Sequence, residues 1–106
     1  MLTSYVCFDL ETTGLSPETD EIIEIGAVKV IEGKVVDRFS RFVKPDAPIS
    51  PMVESLTGIS NAMVAEAGPT DRIIYDFLQF CGEFPVIGHN PVSYTHLRAH
   101  ETSAHL

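Results

Sequence analysis

Basic side chains are scarce in this chain: seven Lys and Arg stand against fifteen Asp and Glu, for a formal net charge of −8. Broad electrostatic binding of nucleic acid relies on Lys and Arg to neutralise phosphates, so the balance argues against that mode. It leaves open a nuclease that works with bound cations, which bring their own positive charge to a phosphate. Cysteine is limited to Cys7 and Cys81, each within an apolar run and without C-x-x-C spacing. That pattern favours reduced core thiols over a disulfide or a metal site. No apolar stretch approaches the roughly 20 residues needed to cross a bilayer. The start Met1-Leu2-Thr3-Ser4 carries no basic segment and no signal-peptide pattern. Together these absences point to a cytoplasmic protein with no membrane partner. A chain of 106 residues, 44% of them hydrophobic, is at most one small domain, and disorder is not its default.

What is present begins with a strand. Ser4 to Glu11 alternates, with Val6, Phe8 and Leu10 on one side and Tyr5, Cys7, Asp9 and Glu11 on the other. Glu21 to Val30 reads as a second strand, Glu32-Gly33 as a tight turn and Val35 to Val43 as a third strand. Together they form an antiparallel meander. Gly26 within the second strand suggests a bulge or a close backbone approach. After the Pro-rich connection from Lys44 to Ser50, Ser50-Pro51 opens a short helix that Gly58 ends. Ser60 caps a second short helix reaching about Glu66. Thr70 caps a third over Asp71 to Cys81, where Ile73, Ile74, Phe77, Leu78 and Cys81 recur at helical spacing, and Gly82 stops it. Pro85-Val86-Ile87-Gly88-His89 suits a buried strand that returns parallel to the first.

Asp9 and Glu11 project the same way, about 7 Å apart along the backbone. Two carboxylates at that spacing suit a hard divalent cation such as Mg²⁺ or Mn²⁺, which takes oxygen ligands. An isolated Asp-x-Glu is more often a strand whose polar end emerges into solvent. The longer string Phe8-Asp9-Leu10-Glu11-Thr12-Thr13-Gly14, however, resembles the first motif of the DEDD 3′–5′ exonucleases. The likeness is to the DEDDh branch that includes the epsilon proofreading subunit of bacterial DNA polymerase III, and it runs from about Ser4 to Asn90. It implies an α/β, ribonuclease-H-like fold, here truncated, and hydrolysis of terminal DNA phosphodiesters at two metals held by four acids. In that family Asp9 and Glu11 would be the first two acids. Thr12, Thr13 and Gly14 would bring backbone amides to the terminal nucleotide, and Leu15 would pack on its base. The implied partners are a nucleic-acid 3′ end, foremost single-stranded DNA, and a polymerase subunit or fused polymerase domain. Thr57-Gly58-Ile59 resembles a second nucleotide-contacting segment, although Thr57 and Met52 stand where some members carry His and Glu. Val86-Ile87-Gly88-His89-Asn90 resembles the start of the second motif, which gives Asn90 a substrate-binding role.

The third and fourth acids and the general-base His of that family have no counterpart. From Val92 to Thr102 the chain instead reads as an in-frame translation of a transposase adapter used in sequencing libraries. The expected division is therefore 1–91, the N-terminal part of an exonuclease domain, and 92–106, a non-native tail to be excluded from fold reasoning. His96, His100 and His105 do not form a His-Glu-x-x-His zinc motif. A chain lacking two acids and the base is expected to be inactive. Two alternatives stay open: an RNA or oligonucleotide 3′–5′ exonuclease of the same family, and a non-catalytic module binding nucleic acid or a polymerase.

Overall fold

The computed structural model describes residues 3–89, 93 and 95–99. Seven elements run in the order β1 (Tyr5–Thr12), β2 (Ile22–Ile31), β3 (Lys34–Phe42), α1 (Pro51–Thr57), α2 (Asn61–Val64), α3 (Thr70–Cys81) and β4 (Val86–Gly88). The strands form one sheet of order β3-β2-β1-β4. The meander is antiparallel, and β4 returns parallel to β1 with Val6 paired to Val86 and Phe8 to Gly88. This is the ribonuclease-H-like α/β arrangement expected: a three-stranded meander, helices and one returning parallel strand. No helix among the described residues is long and apolar enough to cross a membrane.

Alternation in β1 decides which side is core. Val6, Phe8 and Leu10 are buried, and beneath them α3 contributes Ile73, Ile74, Phe77 and Cys81. Phe77 sits at the centre, its ring 5.5 Å from Phe8 and 5.6 Å from Phe39. A smaller cluster of Ile23, Ile49, Ile59 and Val64 anchors α1 and α2 to the start of β2. The opposite face of the sheet carries Cys7, Asp9 and Glu11 on β1 and Glu24, Gly26 and Val28 on β2. Cys7 and Cys81 are both free thiols.

The structure departs from expectation at several places. Thr70 is the first helical residue of α3 rather than its cap. Pro69 holds the N-cap position without a side-chain bond, since its ring offers no acceptor, and its carbonyl takes the Ile73 amide at 3.1 Å. The second helix ends at Val64, short of Glu66. Gly26 makes no bulge. The irregularities fall at Glu11/Thr12 and Lys29/Val30, and a Cβ on Gly26 would meet nothing within 4 Å. The segment beyond β4 is not apart from the fold: residues 95–99 are helical, Ser93 and His96 are buried, and Leu97 joins the main core.

Candidate active site

The pleat of β1 turns Asp9 and Glu11 onto the open face, and the strand register adds a neighbour. Gly26 lies opposite Asp9, and Glu24 lies opposite Glu11. Three carboxylates therefore share one corner of the sheet. Burial, and secondarily the Asp9 carboxylate, push the Glu11 carboxyl above the ordinary range. Burial first and Glu11 second do the same to Glu24. Like charges opposed across an antiparallel pair repel, so the Glu11 carboxylate makes Glu24 harder to ionise.

Asp9 is held from two directions. Its Oδ1 accepts the Leu10 amide at 3.0 Å and the Ser93 hydroxyl at 2.6 Å. Asp9 and Glu11 offer the oxygen chemistry of a divalent cation site. Among the described residues, no group of three His, Cys, Asp or Glu side chains is placed to hold a metal ion.

Beyond Glu11 the chain forms one wall of a groove of about 600 Å³, and α1 forms the other through Val53, Leu56 and Thr57. Leu15 and Leu56 are 78% and 79% exposed at its mouth, which is costly apolar display unless something covers it. Thr12 donates from Oγ1 to the Gly14 carbonyl at 2.6 Å, tightening the turn. Thr13 is committed within its own loop. Its amide donates to the Glu21 carbonyl, and its hydroxyl accepts the Glu21 amide, both at 2.8 Å. That corrects the expectation that the Thr13 amide is free for a nucleotide. Thr57 likewise spends its hydroxyl locally, donating to the Val53 carbonyl at 2.8 Å and accepting the Ile59 amide at 3.1 Å. What it offers the groove is its apolar side. Gly14 and Leu15 line the groove, whereas Asn90 lies outside the described residues. His89 is exposed, with its amide on the Phe8 carbonyl at 2.7 Å, as a strand end requires.

Three residues at this site escaped the reading of motifs. Glu24 becomes visible only once β1 and β2 are in register. Asp20 and Glu21 look like turn residues, yet their carboxylates hold backbone amides of two separate loops. Asp20 Oδ2 accepts from Ser16 at 2.9 Å, and Glu21 accepts from Asp46 at 2.7 Å and Ala47 at 3.0 Å.

Comparison with known proteins places this geometry. The RNase_T model, which describes exonucleases, matches residues 6–102. The DNA polymerase III PolC-type of Caldanaerobacter subterraneus subsp. tengcongensis is 48% identical over 86 residues. That match covers 81% of this chain and 6% of the relative, so the chain spans only a small part of that protein's length. Among solved structures, Exonuclease X in complex with 5′ overhanging duplex DNA is similar with TM-score 0.69 and 34% identity, covering 88% of this chain and 52% of that one. A 3′-exonuclease solved in 3′-end specific recognition of histone mRNA stem-loop is similar with TM-score 0.65 and 26% identity, covering 74% of this chain and 30% of that one. With a carboxylate pair on β1, a ribonuclease-H-like sheet and a family match over most of its length, the chain belongs to the exonuclease family.

Proposed function

We propose that the chain is the N-terminal part of a 3′–5′ exonuclease domain of proofreading type, acting on single-stranded DNA ends beside a polymerase. One observation carries this reading: Asp9 and Glu11 share one face of β1, and Glu11 also lines the groove that Leu15 and Leu56 wall. The likeness to PolC-type polymerases supports the polymerase setting, whether as a fused domain or a partner subunit.

Asp9 and Glu11 are the residues that would hold Mg²⁺ or Mn²⁺. Bound there, the cation supplies polarisation of the scissile phosphate and activation of a water, and the intact family enzyme uses two such ions. The chain's own residues do the positioning. Leu15 and Leu56 sandwich the terminal base through apolar contact, which suits any of the four bases because each has an apolar face. The turn from Thr12 to Gly14 brings its backbone toward the terminal sugar and phosphate. Asp9, oriented by the Leu10 amide, and Glu11 fix the negative edge against which the cation is drawn. Hydrolysis breaks the bond between phosphorus and the departing 3′-oxygen, releasing a nucleoside monophosphate and leaving a shortened 3′-hydroxyl end.

The chain carries two of the four family acids and no general-base His, so we infer that by itself it binds an end without cleaving it. We also infer that the sequence of 92–106 is not native to the domain, although Ser93, His96 and Leu97 are buried against it. Among the described residues Ser93 and His96 are the buried polar side chains, and both fall in that segment. His96 Nδ1 is a buried atom with no hydrogen-bond partner, a defect native interiors rarely keep. An RNA-directed reading ranks second and rests on the likeness to the histone mRNA 3′-exonuclease.

The deciding experiment reads the source locus through the codon for Asn90 from fresh DNA and expresses the domain found there. Given Mn²⁺ and a 5′-labelled oligodeoxynucleotide, it should produce a one-nucleotide ladder from the 3′ end, abolished in D9N and E11Q. Internal cleavage, or a ladder that persists in both variants, would overturn the reading. A locus that still encodes Ser93-Tyr94-Thr95-His96 would overturn the assignment of the tail.

A further inference from the structure

We propose that Asp20 and Glu21 are positioning residues that set the separation of the two walls of the groove, and with it the fit of the terminal nucleotide. The proposal rests on the reading of that groove as the nucleotide site. Neither residue lines the groove; both stand behind it.

The first wall is gripped by both residues. The Thr13 amide and hydroxyl pair with the Glu21 backbone at 2.8 Å each. The Asp20 carboxylate accepts the Ser16 amide at 2.9 Å and the Thr13 hydroxyl at 3.4 Å. It is seated so closely under the turn that a Cβ on Gly14 would lie 2.4 Å from Asp20 Oδ2. A side chain at position 14 would have to displace the Asp20 carboxylate.

The second wall is reached from the other end of the same dipeptide. The two Glu21 carboxylate oxygens each take one of the consecutive amides of Asp46 and Ala47, at 2.7 and 3.0 Å. Bonds of an ionised acceptor to amides are about twice as strong as neutral ones. From there the chain has little slack. Pro45 and Pro48 fix φ on either side. The Ile49 amide and carbonyl are both held by the Asn61 side chain, at 2.7 and 2.9 Å. Ser50 then caps α1 through the Val53 amide at 3.2 Å. A shift at Glu21 therefore carries through a pinned segment to Leu56 and Thr57. Dispersion contacts fall off steeply with a gap of an ångström or less, so a small widening would release a base from one wall.

The test compares the full 106-residue chain with E21A and E21Q in two readouts. The first needs no nucleic acid: backbone amide resonances of Leu56 and Thr57 should move in E21A together with those of Asp46 and Ala47, and move less in E21Q, which keeps one acceptor oxygen. The second is fluorescence anisotropy with a labelled oligothymidylate and Mg²⁺. Affinity should fall about tenfold in E21A and less in E21Q, with the melting temperature of E21Q near that of the parent. If E21A does not fold, E21Q alone must still shift Leu56 and Thr57. Shifts confined to residues 46 and 47, or unchanged oligothymidylate affinity in a folded E21A, would overturn the proposal. A parent chain that binds no oligothymidylate at all would sink the nucleotide reading of the groove, while the resonance shifts would still decide whether Glu21 places the second wall.

Discussion

At the scale of single residues, the pairing of Glu11 with Glu24 makes the candidate site a local cost to the fold. Both carboxyls are raised, mainly by burial and then by the neighbouring carboxylate. The unfolded chain releases these protons near the ordinary value of 4.5, and the folded chain releases them later. Between those two points the folded state holds more protons, so this contribution to stability is full below 4.5 and is lost as pH rises through the raised values. E24Q removes one of the opposed charges. It should raise stability at pH 7 by roughly 0.5 kcal/mol, or about 2–4 °C in melting temperature, and shrink the difference between melts at pH 5 and pH 7. Calorimetry at the two pH values checks both, and a melting temperature that falls in E24Q would show that Glu24 is held by favourable contacts instead. Asp9 and Glu11 were legible in the sequence because alternation in a strand fixes their face. Glu24 was not, because the connection 13–21 between β1 and β2 carries no two-residue turn to set the register. Asp20 and Glu21 were hidden for a related reason, since their partners at Ser16, Asp46 and Ala47 are defined only by the folded path of two loops.

At the scale of elements, turn and cap chemistry is where local sequence speaks most directly. Ser50 and Gly58 bound α1 as their residue types require: Ser50 accepts the Val53 amide, and Gly58 takes φ 77°. Pro69 displaced Thr70 from the cap of α3 because an extended proline can present its carbonyl to the helix without a side-chain bond. In the hairpin between β2 and β3, Glu32 and Gly33 both have positive φ, at 49° and 80°, the pattern of a type I′ turn. Glycine takes this freely, whereas glutamate is strained by about 1 kcal/mol. E32N should recover part of that, about 0.5 kcal/mol, because Asn tolerates the left-handed region. G58A should cost about 1 kcal/mol; its Cβ would meet nothing within 4 Å, so the loss is one of backbone conformation alone. Urea midpoints for the two variants should move in opposite directions, and a G58A midpoint equal to the parent's would remove the left-handed cap from the account.

At the scale of the whole molecule, the apolar core among the described residues lies on one face of the sheet. α3 packs beneath β1, β2 and β3, while the face bearing Cys7, Asp9, Gly26 and Val28 opens into a shallow trough. One edge strand, β4, is three residues long, with Ile87 39% exposed. The other, β3, exposes Val35 and Val36 by 51% and 54%. Short or exposed strand edges invite pairing with other chains, and a one-sided core leaves little surplus over conformational entropy. The match to Exonuclease X covers 52% of that similar chain. The fold predicts a marginal, self-associating protein whose cooperativity rests on the Phe8–Phe39–Phe77 cluster. F77A, which should cost about 3–5 kcal/mol out of a typical total of about 5–15, should therefore abolish cooperative unfolding altogether. Circular dichroism melts paired with sedimentation velocity measure this directly. A sharp, concentration-independent melt of a monomeric parent chain, with F77A still cooperative, would mean that four strands and one face of helix suffice.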